Sequence, residues 1–488
     1  MSRKITREML SRWQTELLNE AFSSTGTSSI SSLDPSAVAA AGVLAKLNRG
    51  AQSPSVCLQI IGDSTGTDLT EWFGVMVKKI AAKYTTHTLL WRPWNTTTQW
   101  FDPPQKVTTG TANSGADRYA TFAGAGQLQH AGSSQFPGST SSQDFDIFAK
   151  IKPTDWKPSG AAAKRTIVAR WQGAGSRSWA FFIDESGKLG FEWSADGTAT
   201  SGTVLSSTAV SFTGSSTAWV RVQFDADNGA SGNTATFYTG SDGVNWTTLG
   251  TAVTTATAAT IFGGTILYSV GSRSNSTGAD FYSGDIFWVE ALNGLDTSTT
   301  RYSAIPPLLD TYDQSTTAAS VSYGGAPVIL ALVGSASGQN TTYFDESLRK
   351  LRLNAAHGQD IVFLNSGHNE THLGFVATML AWIASVRSRQ QKTPLVMLSQ
   401  NPTYYGTMFT SQAAVDLRYK RSAELMSAVA AGASAGVYPF DVYPAFANAD
   451  LVDVLELDGL HPKAENGLGT SGSELWGNYV ALKMFGVS

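Results

Sequence analysis

A single cysteine, Cys57, occurs in 488 residues, which excludes an internal disulfide and a cysteine-rich zinc module and leaves the redox compartment open. Charge is scarce too. Charged residues make up 15% of the chain, and 34 Lys+Arg against 38 Asp+Glu leave a net charge of -4. Such a balance supplies no field of one sign to attract nucleic acid or an anionic membrane. No run of about 18 apolar residues is present. The opening Met1-Ser2-Arg3-Lys4-Ile5-Thr6-Arg7-Glu8 places charges where a secretory leader needs an apolar stretch, so no signal peptide is expected. What the chain does have is glycine, 47 of them, with 11% aromatic and 42% hydrophobic residues, the profile of a turn-rich globular protein. Its length suits two or three domains.

Two textures run along the chain. Ile5, Met9, Trp13, Leu17 and Ala21 share one face of a short amphipathic helix, which packs on its own domain or docks to a partner. The Ser/Thr/Gly-rich stretch 23–32 then reads as a linker, so 1–50 forms an N-terminal helical and linker segment. Short apolar runs at 55–61, 327–333, 360–365, 394–399 and 436–441 are candidate parallel strands. They alternate with candidate helices at 69–83, 344–356, 371–391, 411–431 and 474–485, a pattern that predicts a parallel sheet covered on both faces. From 105 to 305 Thr, Ser and Gly dominate, and strand-like segments such as 165–171, 179–183, 219–224, 235–238 and 286–290 recur between turns. This predicts an antiparallel β-sandwich inserted into an α/β domain made of 51–104 and 306–488.

The chemistry gathers at the carboxyl ends of the candidate strands, where open α/β sheets carry their sites. Ile60-Ile61-Gly62-Asp63-Ser64-Thr65-Gly66 puts a serine hydroxyl after the first strand and before a helix. A capping serine at a turn is the commoner role for such a residue. Near the other end, Asp458-Gly459-Leu460-His461-Pro462 sets a carboxylate three residues before a histidine, the spacing at which Asp458 can hold one imidazole nitrogen while the other faces a hydroxyl. Leu364-Asn365-Ser366-Gly367-His368-Asn369-Glu370 ends another strand, and its Asn369 amide could donate to an oxyanion. Gly334-Ser335-Ala336-Ser337-Gly338 ends a further one, with small residues that leave a backbone N–H accessible. His368 and His372 also stand four apart with Glu370 between them. A zincin would need Glu where Asn369 stands, so this is the weaker reading. His87, His130 and His357 have no partners at ligand spacing.

These four places, in chain order, resemble the blocks of the SGNH (GDSL) hydrolase family. Gly62, Asp63 and Ser64 match the first block, Gly334 to Thr341 looks like the glycine block, Gly367 to Glu370 is similar to the third, and Asp458 with His461 matches the last. The resemblance implies a flavodoxin-like sheet and a serine esterase with Ser64 as nucleophile, His461 as base and Asp458 as its partner. Ser64, Gly338 and Asn369 would form the oxyanion hole. Glu370 departs from the family's usual aspartate, and Ser64 and Gly338 lie much further apart than usual, which the inserted domain explains.

The insert resembles a jelly-roll, lectin-like sandwich of the concanavalin A or laminin-G kind, which implies glycan binding. Trp171, Trp179, Trp193 and Trp246 are candidates to stack on sugars, core packing being the commoner fate of such residues. Together these readings give a carbohydrate O-acetyl esterase acting on cell-surface polysaccharide. Its expected partners are an acetylated polysaccharide, a second copy of the chain or virion tail proteins, not nucleic acid or membrane. The architecture resembles bacteriophage tail proteins and so implies a virion tail, with the cytoplasm as the other location. The rival function is a receptor-binding or structural tail protein whose hydrolase domain is inactive. No cofactor or metal is expected, and nothing in the sequence indicates calcium in the sandwich.

Overall fold

The computed structural model describes residues 35–130, 143–159, 163–264, 266–273, 280–295, 302–303, 307–312, 321–354, 358–370, 374–404, 411–432, 435–447 and 449–488. The helix expected over 5–21, the 23–32 linker, His357 and His372 lie outside them. The fold is mixed: one sheet is largely parallel, and the others are antiparallel.

The largely parallel sheet contains β1 (Val56–Gly62), β2 (Thr88–Asn95), β3 (Gln105–Thr108), β4 (Val328–Val333), β5 (Ile361–Asn365), β6 (Leu395–Leu398) and β7 (Val437–Phe440). Parallel pairing runs β7-β6-β5-β1-β4-β2. Leaving out β2, the strands taken in chain order stand 2-1-3-4-5, so β1 is central and its carboxyl end opens where neighbouring connections diverge. Both faces are covered. Val56, Leu58 and Ile60 point to a core shared with α1 (Pro35–Leu47), α2 (Trp72–Lys83) and α5 (Gly472–Phe485). Cys57 and Ile61 point to the opposite core, shared with α3 (Phe375–Arg389) and α4 (Gln412–Ala430). Burial holds the Cys57 thiol well above its ordinary range, so it stays protonated and inert.

Two further elements belong to this half. Thr88–Asn95 is a strand despite Pro93; it pairs with β4 on one side and with 100–101 and 105–108 on the other, and Pro93 falls where that second ladder is interrupted between 101 and 105. Residues 35–47 form a helix whose Ala39, Ala40, Val43 and Leu47 are buried against the sheet.

The region between β3 and β4 is a two-sheet sandwich. One sheet orders 202–205, 189–193, 177–184, 164–171, 268–270 and 128–130; the other orders 247–248, 233–240, 218–225, 145–153, 283–293, 119–123 and 321–324. Alternation fills the space between them. Ile147, Ala149 and Ile151 join Val220, Val222 and Phe224 against Val168, Phe181, Ile183 and Phe191. Trp171, Trp179 and Trp193 are buried, whereas Trp246 stays partly exposed on the outer side of the larger sheet. Strand β3 pairs with β2 of the parallel sheet, and 321–324 pairs with 119–123 of the sandwich.

The two halves are tied by buried charge. Arg92 of β2 and Glu290 of the sandwich pair at 2.8 Å with side chains 2% and 1% exposed. On the return segment, the Asp310 carboxylate accepts from Ser55 N and Oγ, each at 2.9 Å, and from Arg118 Nε at 2.8 Å.

Candidate active site

Strand β1 ends at Gly62, where any Cβ would collide with the Asn365 carbonyl of β5, so only glycine lets the two strands stay paired there. The chain then makes a 3-10 turn over Ser64–Gly66. Asp63 holds that turn: its carboxylate accepts from Thr65 N at 3.1 Å, Thr65 Oγ1 at 2.9 Å and His368 N at 3.3 Å. Neither Gly62 nor Gly66 has a positive φ, so both serve close approach rather than an unusual backbone; at Gly66 an added Cβ would strike Ile60. Ser64 is left half-buried at the carboxyl end of the central strand.

Its hydroxyl meets histidine. Ser64 Oγ lies 2.6 Å from His461 Nε2, and His461 Nδ1 lies 2.5 Å from Asp458 Oδ2. Asp458 Oδ1 also accepts from Leu460 N at 2.8 Å and His461 N at 3.0 Å. Partial burial pushes the Asp458 carboxyl up, but the imidazole and these N–H groups outweigh it and hold it below the usual carboxylate range. An ionised Asp458 keeps the proton on Nδ1 and so leaves Nε2 as the acceptor facing Ser64.

Backbone anchors hold the Asp458–His461 loop. Glu456 N donates to His461 O at 2.7 Å, and Gly459 turns with φ +77. Asn401 and Tyr404, which follow β6, add further support: Asn401 Nδ2 donates to Leu460 O at 2.8 Å, Tyr404 OH to Glu456 O at 2.9 Å and Tyr404 N to Gly459 O at 3.0 Å. Sequence reasoning missed both residues. The polar run Gln400-Asn401-Pro402-Thr403 after an apolar strand was the available signal.

The glycine block lies along the same edge. Gly334 N donates to Ile60 O at 2.8 Å and Ala336 N to Gly62 O at 2.9 Å, which carries the segment past the Ser64 turn. Gly338 has φ +71 and is exposed. Asn369 reaches this segment: its Nδ2 donates to Gln339 O at 2.9 Å, and the same amide carries a second N–H. Glu370 accepts from Thr341 N at 2.5 Å, so the longer acid fastens the third block to the second. Ser64, His461 and Asp458 thus form one contact chain, and Asn369 joins the loop carrying Gly338.

His368 is buried beside Asp63, Nδ1 to Oδ2 3.8 Å. Burial and the nearby Arg418 push it well below the ordinary imidazole value, so it is neutral. Among the described residues no three His, Cys, Asp or Glu side chains converge as metal ligands, and no helix is long and apolar enough to cross a membrane.

No protein family and no curated protein matches the sequence. Among solved structures, a peptidoglycan O-acetylesterase is similar over 92% of this chain and 94% of its own, at 12% identity and TM-score 0.35. A carbohydrate esterase family 3 protein from Talaromyces cellulolyticus covers 32% of this chain and 70% of its own, at 16% identity and TM-score 0.25. The enzymatically active domain of bacteriophage CBA120 tailspike protein 2 covers 34% of this chain and 23% of its own, at 19% identity and TM-score 0.24.

Proposed function

We propose that this chain is a serine ester hydrolase of the SGNH kind, with a flavodoxin-like catalytic half, and that its substrate is an acetyl ester on a polysaccharide. The observation that carries the reading is the contact chain from Ser64 Oγ to His461 Nε2 at 2.6 Å and from His461 Nδ1 to Asp458 at 2.5 Å. In this mechanism Ser64 Oγ bonds to the ester carbonyl carbon as its proton passes to His461 Nε2. Asp458 stabilises the imidazolium that results. Charge developing on the carbonyl oxygen is met by N–H donors, assigned here to Ser64 N, Gly338 N and the Asn369 amide. Collapse breaks the bond to the alkoxy oxygen, which leaves with the proton from His461. Water then attacks the acetyl-serine by the same route, giving its proton to His461, and acetate leaves as Ser64 recovers its hydrogen.

The test is p-nitrophenyl acetate hydrolysis by Ser64→Ala. Hydrolysis should vanish while the circular dichroism spectrum and melting temperature stay as in the parent. Retained hydrolysis would overturn the assignment.

A further inference from the structure

The outer face of the larger sandwich sheet is not the polar surface that a solvated face needs. Cross-strand register places Phe148 opposite Arg221, and both project away from the Ile147, Ala149, Val220 and Val222 core. Trp219 joins them on the same face, and Trp246 arrives from the 241–246 turn. The ring centroids of Phe148 and Trp246 lie 6.1 Å apart, those of Trp219 and Trp246 lie 6.4 Å apart, and Arg221 sits 5.3 Å from the Trp246 centroid. Facing this aromatic wall is the 98–105 segment that follows β2, with Trp100 among its lining residues. Between them lies a cleft of about 580 Å³, within the range of sites that hold small organic ligands.

Three features give the cleft a chemistry. First, it is preformed. Asp242 accepts from Val244 N at 2.9 Å and from Asn245 N and Nδ2 at 2.8 Å each, and Gly243, with φ +77, lies so close to the Trp219 ring that a Cβ would crowd it. Second, its floor is a fixed buried ion pair. Arg92 is 2% exposed; its Nε donates to Asp102 O at 3.0 Å, its Nη2 pairs with Glu290, and its guanidinium lies 5.8 Å from the Phe101 ring centroid and 5.6 Å from that of Trp288. Third, its cations are already neutralised. Glu290 faces Arg92, Asp146 takes Arg221 in two bonds of 2.7 and 2.8 Å, and Asp102 and Asp242 add negative charge. A uronate or sialate carboxylate would meet no uncompensated cation there.

We infer that this cleft is a binding subsite for a neutral oligosaccharide segment, with a sugar face on Trp246. The inference deepens the proposed function and rests on it for the substrate class. The cleft is well placed for that role. Its lip follows the carboxyl end of β2, which is two strands from β1, about 10 Å across the sheet. The same segment is fastened toward the Gly338 loop through Trp94 Nε1 to Tyr343 OH at 3.3 Å and Arg349 Nε to Gln99 Oε1 at 3.0 Å. A polymer held there keeps its ester near Ser64 at raised effective concentration.

The experiment is calorimetric titration of the full chain carrying Ser64→Ala with cellohexaose, xylohexaose and mannohexaose, and with hexagalacturonate as the acidic probe. At least one neutral hexaose should bind, and Trp246→Ala should weaken it about tenfold or more. Because Trp246→Ala removes packing, Thr98→Trp serves as a second variant: Thr98 is exposed on the opposite lip, and a bulky ring there should block entry. Binding of no neutral hexaose, affinity unchanged in both variants, or preference for hexagalacturonate would overturn the inference. p-Nitrophenyl acetate hydrolysis by the parent chain is scored separately. Ester hydrolysis without glycan binding removes the subsite and leaves the enzyme, and the opposite result removes the enzyme and leaves the subsite.

Discussion

The two halves of this chain place side chains by opposite rules. In the α/β half every parallel strand ends on the same edge of the sheet, so residues from β1, β4, β5 and the segment beyond β7 converge although hundreds of positions separate them. In the sandwich, successive strands reverse, ends scatter, and what gathers is a face: alternate residues of 145–153, 218–225 and 283–293 make one side core and the other side the contact with the α/β half. A parallel sheet therefore concentrates chemistry at a point, and an antiparallel one spreads recognition over a surface.

The largest effect tests the point. If Asp458 orients a catalytic His461, Asp458→Asn should keep the fold but favour the wrong imidazole tautomer and lower kcat about 10⁴-fold, the loss that removal of the carboxylate causes in serine-hydrolase triads. A loss under tenfold in p-nitrophenyl acetate kinetics would mean that Asp458 only shapes its loop. Next comes the contact between the halves. Glu290→Gln strands the buried Arg92 charge and should cost about 3–5 kcal/mol, seen as a lower melting temperature, whereas Arg92→Met with Glu290→Leu should recover most of it. Calorimetry adds a second readout: the two halves should unfold together in the parent and separately in the single variant. No loss in Glu290→Gln would make the halves independent neighbours.

The smallest effect is a pH dependence. Burial, opposed in part by the Tyr84 contact, pushes His87 down to about 4 from its ordinary 6.5. Between those values the unfolded chain binds a proton that the folded chain refuses, so stability falls as pH falls through this window. The melting temperature should drop from pH 6.5 to 4, and His87→Gln should drop less; equal losses would contradict the assignment.

Much of the site was legible because its constraints are local. Gly62-Asp63-Ser64 and Asp458 to His461 are each short enough that spacing fixes the geometry, and apolar runs exposed the strands carrying them. What supports those residues left little trace. Asn401 and Tyr404 act on backbone carbonyls of a loop more than fifty positions away, and any polar residue after a strand looks the same from sequence. Pro93 and Arg92 disguised β2, whose charged residue is buried only because Glu290 meets it from the sandwich. The buried face of the Pro35–Leu47 helix is half alanine, Ala39 and Ala40 beside Val43 and Leu47, and so gives only a weak apolar signal in the sequence. The aromatic wall was the least visible, since telling Trp246 from Trp171, Trp179 and Trp193 requires knowing which face each strand turns inward.

Covalent capture of the proposed nucleophile is the decisive measurement. The full chain is treated with a fluorophosphonate, and the adduct is located by peptide mass spectrometry. One phosphonylated residue, Ser64, should form rapidly in the parent, be absent from Ser64→Ala and form much more slowly in His461→Ala. No adduct, or an adduct on another residue, would contradict the assignment.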